Sequence, residues 1–268
     1  MYWIDKWSLG DTNEYEIKFA GKYGAKGEKR GKRKKATPEA IKKQNQRNKE
    51  KRMRRLIEAN FQEGDLWMTL KYPKGYRSDA EKVKADLKAF IDSMRRKYKA
   101  KGYELKFIYR VEVGKQGGIH IHMVVPRIRG ADTESMAQKS WKQGRINFQE
   151  LDAGDYSELA AYITKPPDEE VAKQLSMFPE EERKEFIKYS SSRNLIRPEP
   201  ERKEYSRRTV RQLIQDGPKP TPGFYIVKDS IEYGINPYTG MSFYHYRERR
   251  IRNGESKHSY CNNMQRSG

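Results

Sequence analysis

The chain has 268 residues, 57 Lys and Arg against 37 Asp and Glu, and a formal net charge of +20. That length accommodates one sizeable domain, alone or with extensions at its ends, and the charge favours a polyanionic partner, nucleic acid above all. No apolar run has the length of a membrane span or a signal-peptide core. The lone cysteine, Cys261, excludes an intrachain disulfide and a cysteine-based zinc cluster and fits a reducing cytoplasm.

The basic charge is concentrated near the start. From Lys22 to Arg55, 16 Lys and Arg meet only Glu28, Glu39 and Glu50. The Gly- and Lys-rich part, through Lys32, Arg33, Lys34 and Lys35, reads as a flexible arm that binds phosphate. Thr37-Pro38-Glu39 then reads as a helix start, with Thr37 as N-cap, and the helix runs to about Ala59 with Lys and Arg on most of its surface. Leu66–Tyr72 alternates as a strand. Ser78–Lys101 has a helical stripe of Val83, Leu87, Phe90, Ile91 and Met94. Leu105–Val113 and Ile119–Val125 are strands joined by a Gly-rich turn. Asp132–Lys142 reads as a helix, Arg145–Leu151 as a strand, and Tyr156–Lys165 as a helix stopped by Pro166-Pro167. Beyond these lie an acidic helical piece (Pro179–Lys188), a basic helix (Arg207–Gln215) and a hairpin region (Phe224–Tyr246). The class is α+β: a ferredoxin-like, RRM-like βαββαβ core with an antiparallel sheet, a basic helical N-terminal extension and an α/β C-terminal extension. The expected spans are 1–59, 60–168 and 169–268.

Side-chain alternation assigns the two faces of the central sheet. Phe107, Tyr109, Val111 and Val113 lie on one face of their strand, as do Ile119, Ile121, Met123 and Val125 on the next. Both sets must meet the same core, which places Glu112 opposite His120 and Arg110 opposite His122. The connection is then a three-residue loop, Lys115-Gln116-Gly117. A two-residue turn would turn Glu112 into the core, where an unpaired carboxylate is costly. The opposite face collects Trp67, Thr69, Lys71, Arg110, Glu112, His120, His122, Arg145 and Asn147.

His120-Ile121-His122 sets two imidazoles on that face about 7 Å apart. With Glu112 from the neighbouring strand they make two nitrogen donors and one oxygen donor, a set suited to a catalytic divalent ion such as Mg²⁺ or Mn²⁺. Thr69, Lys71, Arg110 and Arg145 are available to DNA on the same face. Tyr162 and Lys165 are three apart on the last helix of the core and would share a face. A tyrosine hydroxyl is a weak nucleophile that needs a metal, a base or a nearby cation, and Lys165 supplies the cation.

These residues resemble the HUH endonucleases, specifically the rolling-circle replication initiators of small phages and plasmids. In that family the middle strand carries His-hydrophobic-His, matched by His120-Ile121-His122, and an acidic or polar residue such as Glu112 completes the ligands. A following helix carries Tyr-x-x-Lys, matched by Tyr162 and Lys165, and the first strand a segment like Thr69-Leu70-Lys71-Tyr72. The resemblance covers about residues 60 to 168. It implies nicking of single-stranded DNA at a replication origin, with a 5′-phosphotyrosine on Tyr162 and a free 3′-OH. It further implies a host helicase and polymerase as partners, no membrane, and the cytoplasm of a bacterial host. Tyr156 lies about 240° from Tyr162 around the helix, which favours the single-tyrosine type. Alternatives are a single-tyrosine transposase or relaxase, a phosphoesterase using water as nucleophile, and a non-catalytic nucleic-acid-binding sheet, which would need exposed aromatics beyond Trp67.

Overall fold

The computed structural model describes residues 1–21, 28–76, 79–114, 118–176, 180, 186, 189–205 and 210–252. The strands in chain order are β1 (Tyr2–Leu9), β2 (Thr12–Phe19), β3 (Leu66–Lys71), β4 (Ile108–Val113), β5 (Ile119–Val125), β6 (Arg145–Glu150), β7 (Tyr189–Ser191), β8 (Glu201–Glu204), β9 (Phe224–Ile235) and β10 (Ser242–Arg250). The helices are α1 (Pro38–Glu58), α2 (Ala80–Ala100), α3 (Thr133–Ser140), α4 (Ser157–Thr164), α5 (Glu169–Leu175) and α6 (Arg211–Asp216). The chain divides into two compact units, Met1–Ile41 with Pro198–Gly268, and Lys42–Arg197. Among the described residues, no helix is long and apolar enough to cross a membrane.

The second unit is the expected α+β core. Its sheet runs β6-β3-β5-β4-β7, every neighbouring pair antiparallel. The first four of these strands have the order of the ferredoxin-like plan, and β7 adds a three-residue edge. The turn Lys115-Gln116-Gly117 lies outside the described residues. The register it was inferred to produce is present, with Glu112 paired to His120 and Arg110 to His122.

One face packs on α2 and α3. Asp79 caps α2 by accepting from Lys82 N at 2.6 Å, and the predicted stripe of Val83, Leu87, Phe90, Ile91 and Met94 is buried against Met68, Leu70, Val111, Ile121 and Met123. The predicted start of this helix, Ser78, lies outside the described residues.

The other face is not simply polar. Ile108 and Val124, both fully buried, form a second core with Met53, Ile57, Ala160, Ile163 and Leu195. The last turns of α1 and the apolar side of α4 therefore cover one end of this face, and the ionic residues occupy the other. The signal was present in the strands, since Ile108 and Val124 interrupt an otherwise polar set. The all-round charge of α1 concealed that Met53 and Ile57, four residues apart, form its packing side.

The first unit has a sheet of order β8-β1-β2-β10-β9, with a core of Tyr2, Tyr15, Ile17, Val210, Tyr244 and Tyr246. The sequence reading assigned no strand before residue 66. β1 and β2 form a hairpin closed by the pair Leu9–Thr12, with Gly10 at φ 69° in the turn. A buried carboxylate steadies it: Asp5 receives Arg202 Nε at 2.6 Å, Arg202 Nη2 at 2.8 Å and Lys18 Nζ at 2.7 Å.

The basic arm is anchored where it is described. Residues 22–27 lie outside the described set, but Gly31 N donates to Gly240 O at 2.7 Å and Lys34 N to Pro237 O at 2.8 Å. The Glu28 carboxylate accepts from Ser242 N, Ser242 Oγ and the Tyr2 hydroxyl. Thr37 caps α1 as expected, accepting from Ala40 N at 3.2 Å. Of the predicted helix Pro179–Lys188, Glu180 and Phe186 are helical and the rest lies outside the described residues; of Arg207–Gln215, residues 207–209 do so.

Gly144 precedes β6, where a Cβ would stand 2.2 Å from Lys71 O. Gly144→Ala should force β6 away from β3 and destabilise the protein by about 1–3 kcal/mol, the usual range for overpacking. A depressed melting temperature is the expected reading, and an unchanged one would contradict this account of the β3–β6 junction.

Candidate active site

The register aligns the polar side chains in two rows across the second sheet. One row runs Arg145, Lys71, His120, Glu112, and the next Asn147, Thr69, His122, Arg110. Over the β4–β5 end of these rows lies α4, held down by Ala160 and Ile163, both fully buried. Its Tyr162 completes the cluster.

Glu112, His122 and Tyr162 are in direct contact. His122 Nε2 lies 3.0 Å from Glu112 Oε2 and 2.9 Å from the Tyr162 hydroxyl oxygen, and that hydroxyl donates to Glu112 Oε2. The other imidazole nitrogen, Nδ1, lies 3.2 Å from Thr69 Oγ1. Trp67 stacks on the imidazole with ring centroids 5.4 Å apart and meets the Tyr162 ring edge-on at 5.9 Å. His122 is thus fixed from every side. His120 stands further out, its ring 6.2 Å from that of His122 and nearly perpendicular to it.

The electrostatics separate the roles of these groups. The hydrogen bond with His122, against the opposing effect of burial and with help from Tyr162 and Arg110, holds the Glu112 carboxyl at about 2 instead of the ordinary 4.5. Burial, then the neighbouring Glu112, pushes the Tyr162 hydroxyl above the usual tyrosine range. The proton therefore rests on Tyr162. Burial, with the charges of His122 and Lys71, lowers His120 and keeps its imidazole neutral. An ionised carboxylate and a neutral imidazole are donors of the kind a divalent ion takes, so the Glu112, His120 and His122 set fits a metal by its chemistry. His120 would have to turn toward His122 to share it. Among the described residues, the set of three donors mutually within 4.8 Å is Glu14, Glu16 and His245, in the other unit. This second group is a further candidate for a metal; His245 Nε2 lies 2.8 Å from Glu14 Oε1.

Two of the predicted site residues have other tasks. Arg110 was assigned to DNA, yet it is only 5% exposed. Its Nη1 donates to the carbonyls of Tyr162 (2.8 Å), Ile163 (3.0 Å) and Lys165 (2.6 Å), and its guanidinium carbon lies 5.9 Å from the Tyr162 ring centre. Pro166 and Pro167 offer no N–H, so the last carbonyls of α4 need an outside donor. Arg110 is that donor. Lys165 was expected to share a helical face with Tyr162. The helix ends at Thr164, and the Lys165 ammonium pairs with Asp168 at 2.8 Å. Thr69 orients His122, Lys71 is half-buried beside His120 in the register, and Arg145 is exposed at the sheet edge. Lys32, Arg33, Lys34 and Lys35 are exposed in the first unit.

Trp67 was noted on this face but given no role. Its contact with His122 depends on the β3–β5 register, which no short turn reveals.

Residues 65–167 match the family model for the replication-associated proteins of the ORF2 and gene-2-protein type. This segment belongs to that family. Neither a curated protein nor a solved structure matches the chain. The replication-associated segment starts just before β3 and ends at Pro167, so it contains both rows of the sheet, Tyr162 and the prolines that stop α4.

Two outcomes follow for the replication-associated segment. Arg110→Lys replaces a fork by one ammonium that cannot serve three carbonyls, and should lower the unfolding free energy by about 1–3 kcal/mol, the cost of unsatisfied buried groups; wild-type stability would contradict the role given to Arg110. A carboxyl held at about 2 against an ordinary 4.5 stabilises the fold above the higher value and loses that contribution as pH falls through the lower one. In EDTA, the wild-type protein should therefore lose stability relative to Glu112→Gln across this interval. Parallel urea midpoints for the two proteins would contradict it.

Proposed function

We propose that the chain is a replication-initiator endonuclease that nicks single-stranded DNA at an origin and carries the 5′ end on Tyr162. The family of residues 65–167 supports the replication role. The reading of the chemistry rests on one observation, the Tyr162 hydroxyl bonded to Glu112 and 2.9 Å from His122 Nε2 within that segment.

The proposed step is an in-line exchange at phosphorus. The Tyr162 oxygen forms a bond to phosphorus, the P–O3′ bond breaks, and the departing 3′ oxygen takes up a proton to become the free 3′-OH. No redox partner is needed, and the phosphotyrosine keeps the energy of the diester for later strand joining. His120, His122 and Glu112 would hold the divalent ion, Mg²⁺ or Mn²⁺, which when bound polarises a non-bridging phosphate oxygen and offsets developing charge. Glu112 and His122, once engaged as ligands, release the Tyr162 hydroxyl from the bonds that keep it protonated. Arg110 keeps the α4 terminus, and so Tyr162, over the sheet, while Trp67 and Thr69 fix the His122 ring. Lys71 and Arg145, on the row of His120, are the cations placed for the DNA strand beside the scissile phosphate. A polymerase would extend the 3′-OH, with a helicase opening the duplex, in the cytoplasm of a bacterial host.

Tyr162→Phe should abolish the covalent protein–DNA adduct formed with an origin oligonucleotide in Mn²⁺ or Mg²⁺, seen as loss of the shifted band on a denaturing gel. Persistence of the adduct would sink the tyrosine assignment, and strand cleavage without adduct would favour water as the nucleophile. His122→Ala should reduce nicking to background while most DNA binding at low salt remains, because binding draws on phosphate contacts elsewhere. Nicking at the wild-type rate in this variant would exclude His122 from the site.

A further inference from the structure

Unit one presents a second surface with the chemistry of a nucleic-acid site. Lys32, Arg33, Lys34 and Lys35 are all exposed, and the next acid along the chain is Glu39. This stretch is held against the β9–β10 hairpin end by the Gly31–Gly240 and Lys34–Pro237 backbone bonds. The crossing is close: a Cβ on Gly240 would stand 2.4 Å from Gly31 O, and Gly240 has φ 68°. The Glu28 carboxylate is used in the clamp on Ser242 and so is not placed to neutralise the lysines. The cationic stretch is thus preorganised, which spares it part of the ordering cost of a free arm on binding.

The same hairpin end exposes large apolar rings. Tyr233 is 56% exposed, Ile235 64% and Tyr238 39%. Tyr233 lies flat on the buried Tyr244, centroids 5.6 Å apart and planes 8° from parallel, so its outer side faces away from a firm base. Tyr238 sits in a turn in which the Asn236 side chain accepts from Tyr238 N at 2.9 Å and Thr239 N at 3.2 Å. Ile235 approaches Gly31, linking the rings to the cationic stretch. The nearest strand acid, Glu232, alternates to the face opposite Tyr233. Exposed rings on a rigid support beside four cations suit unstacked bases and their phosphates; duplex DNA hides its base faces and would use only the charges.

We propose that residues 32–35 together with Tyr233, Ile235 and Tyr238 form a binding surface for single-stranded DNA. It does not require Tyr162 to be the nucleophile, and its test runs without nicking. Equilibrium binding of the full chain to a labelled single strand, and to the same sequence as a duplex, is measured in EDTA across a salt series. The double substitution Tyr233→Ala/Tyr238→Ala should weaken single-strand binding by about tenfold per ring, the usual loss for a stacked base, and leave duplex binding nearly unchanged. Replacing Lys32, Arg33, Lys34 and Lys35 by Ala should flatten the slope of log affinity against log salt by about 3 for the single strand. Gly240→Ala removes no charge, yet should weaken single-strand binding by unseating the stretch. Wild-type single-strand affinity in the tyrosine variant, or equal losses on both DNAs, would overturn the proposal. So would an unchanged salt slope in the fourfold variant, or wild-type binding by Gly240→Ala.

Discussion

Three carbonyls at the end of a short helix meet one buried guanidinium, and the candidate site depends on that contact. α4 has eight residues, too few to be stable in isolation, and two prolines follow its end. Arg110, projecting from the middle of the sheet, satisfies the carbonyls of Tyr162, Ile163 and Lys165. Burying a guanidinium is costly unless its donors are met. Here the cost is offset by acceptors that would themselves be orphaned without it, although Arg110 Nε has no partner among the described residues. Tyr162 is consequently presented to His122 and Glu112 by a strand residue two positions from Glu112 itself.

The division of one sheet face into an apolar half and an ionic half follows the same logic. Ile108 and Val124, with the undersides of α1 and α4, form a dry core. That core fixes the depth at which α4 sits and leaves the histidines at its margin, within reach of substrate. Burial is then sufficient to raise Tyr162 and keep His120 neutral, while the hydrogen bonds to Glu112 keep that carboxyl ionised. A carboxylate, a neutral imidazole and a protonated phenol side by side form a set in which one change of ligation can free the nucleophile.

Much of this was legible from residue order. The pairing of Glu112 with His120 followed from alternation and from the cost of a core carboxylate, both local arguments about two adjacent strands. The position of Tyr162 over the sheet followed from the βαββαβ order. The first unit was not legible in the same way, because β2 pairs with β10, more than 200 residues later in the chain, and no local pattern announces such a partner. Arg110 and Lys165 were misassigned for a shared reason: a charged residue in sequence carries no sign of whether a backbone carbonyl or an acid such as Asp168 already claims it. The flexible reading of the arm failed similarly, since Gly31 and Gly240 are an ordinary pair of glycines until their backbones are seen to touch.

The central claim is that Tyr162 becomes the covalent carrier of the DNA strand. Its most direct measurement is tandem mass spectrometry of the protein after reaction with an origin single strand in Mn²⁺, followed by nuclease trimming and proteolysis. The account predicts a nucleotide phosphate on the peptide containing Tyr162, with fragment ions locating it on that side chain. A nucleotide located on another residue, or cleaved DNA with no modified peptide, would contradict it.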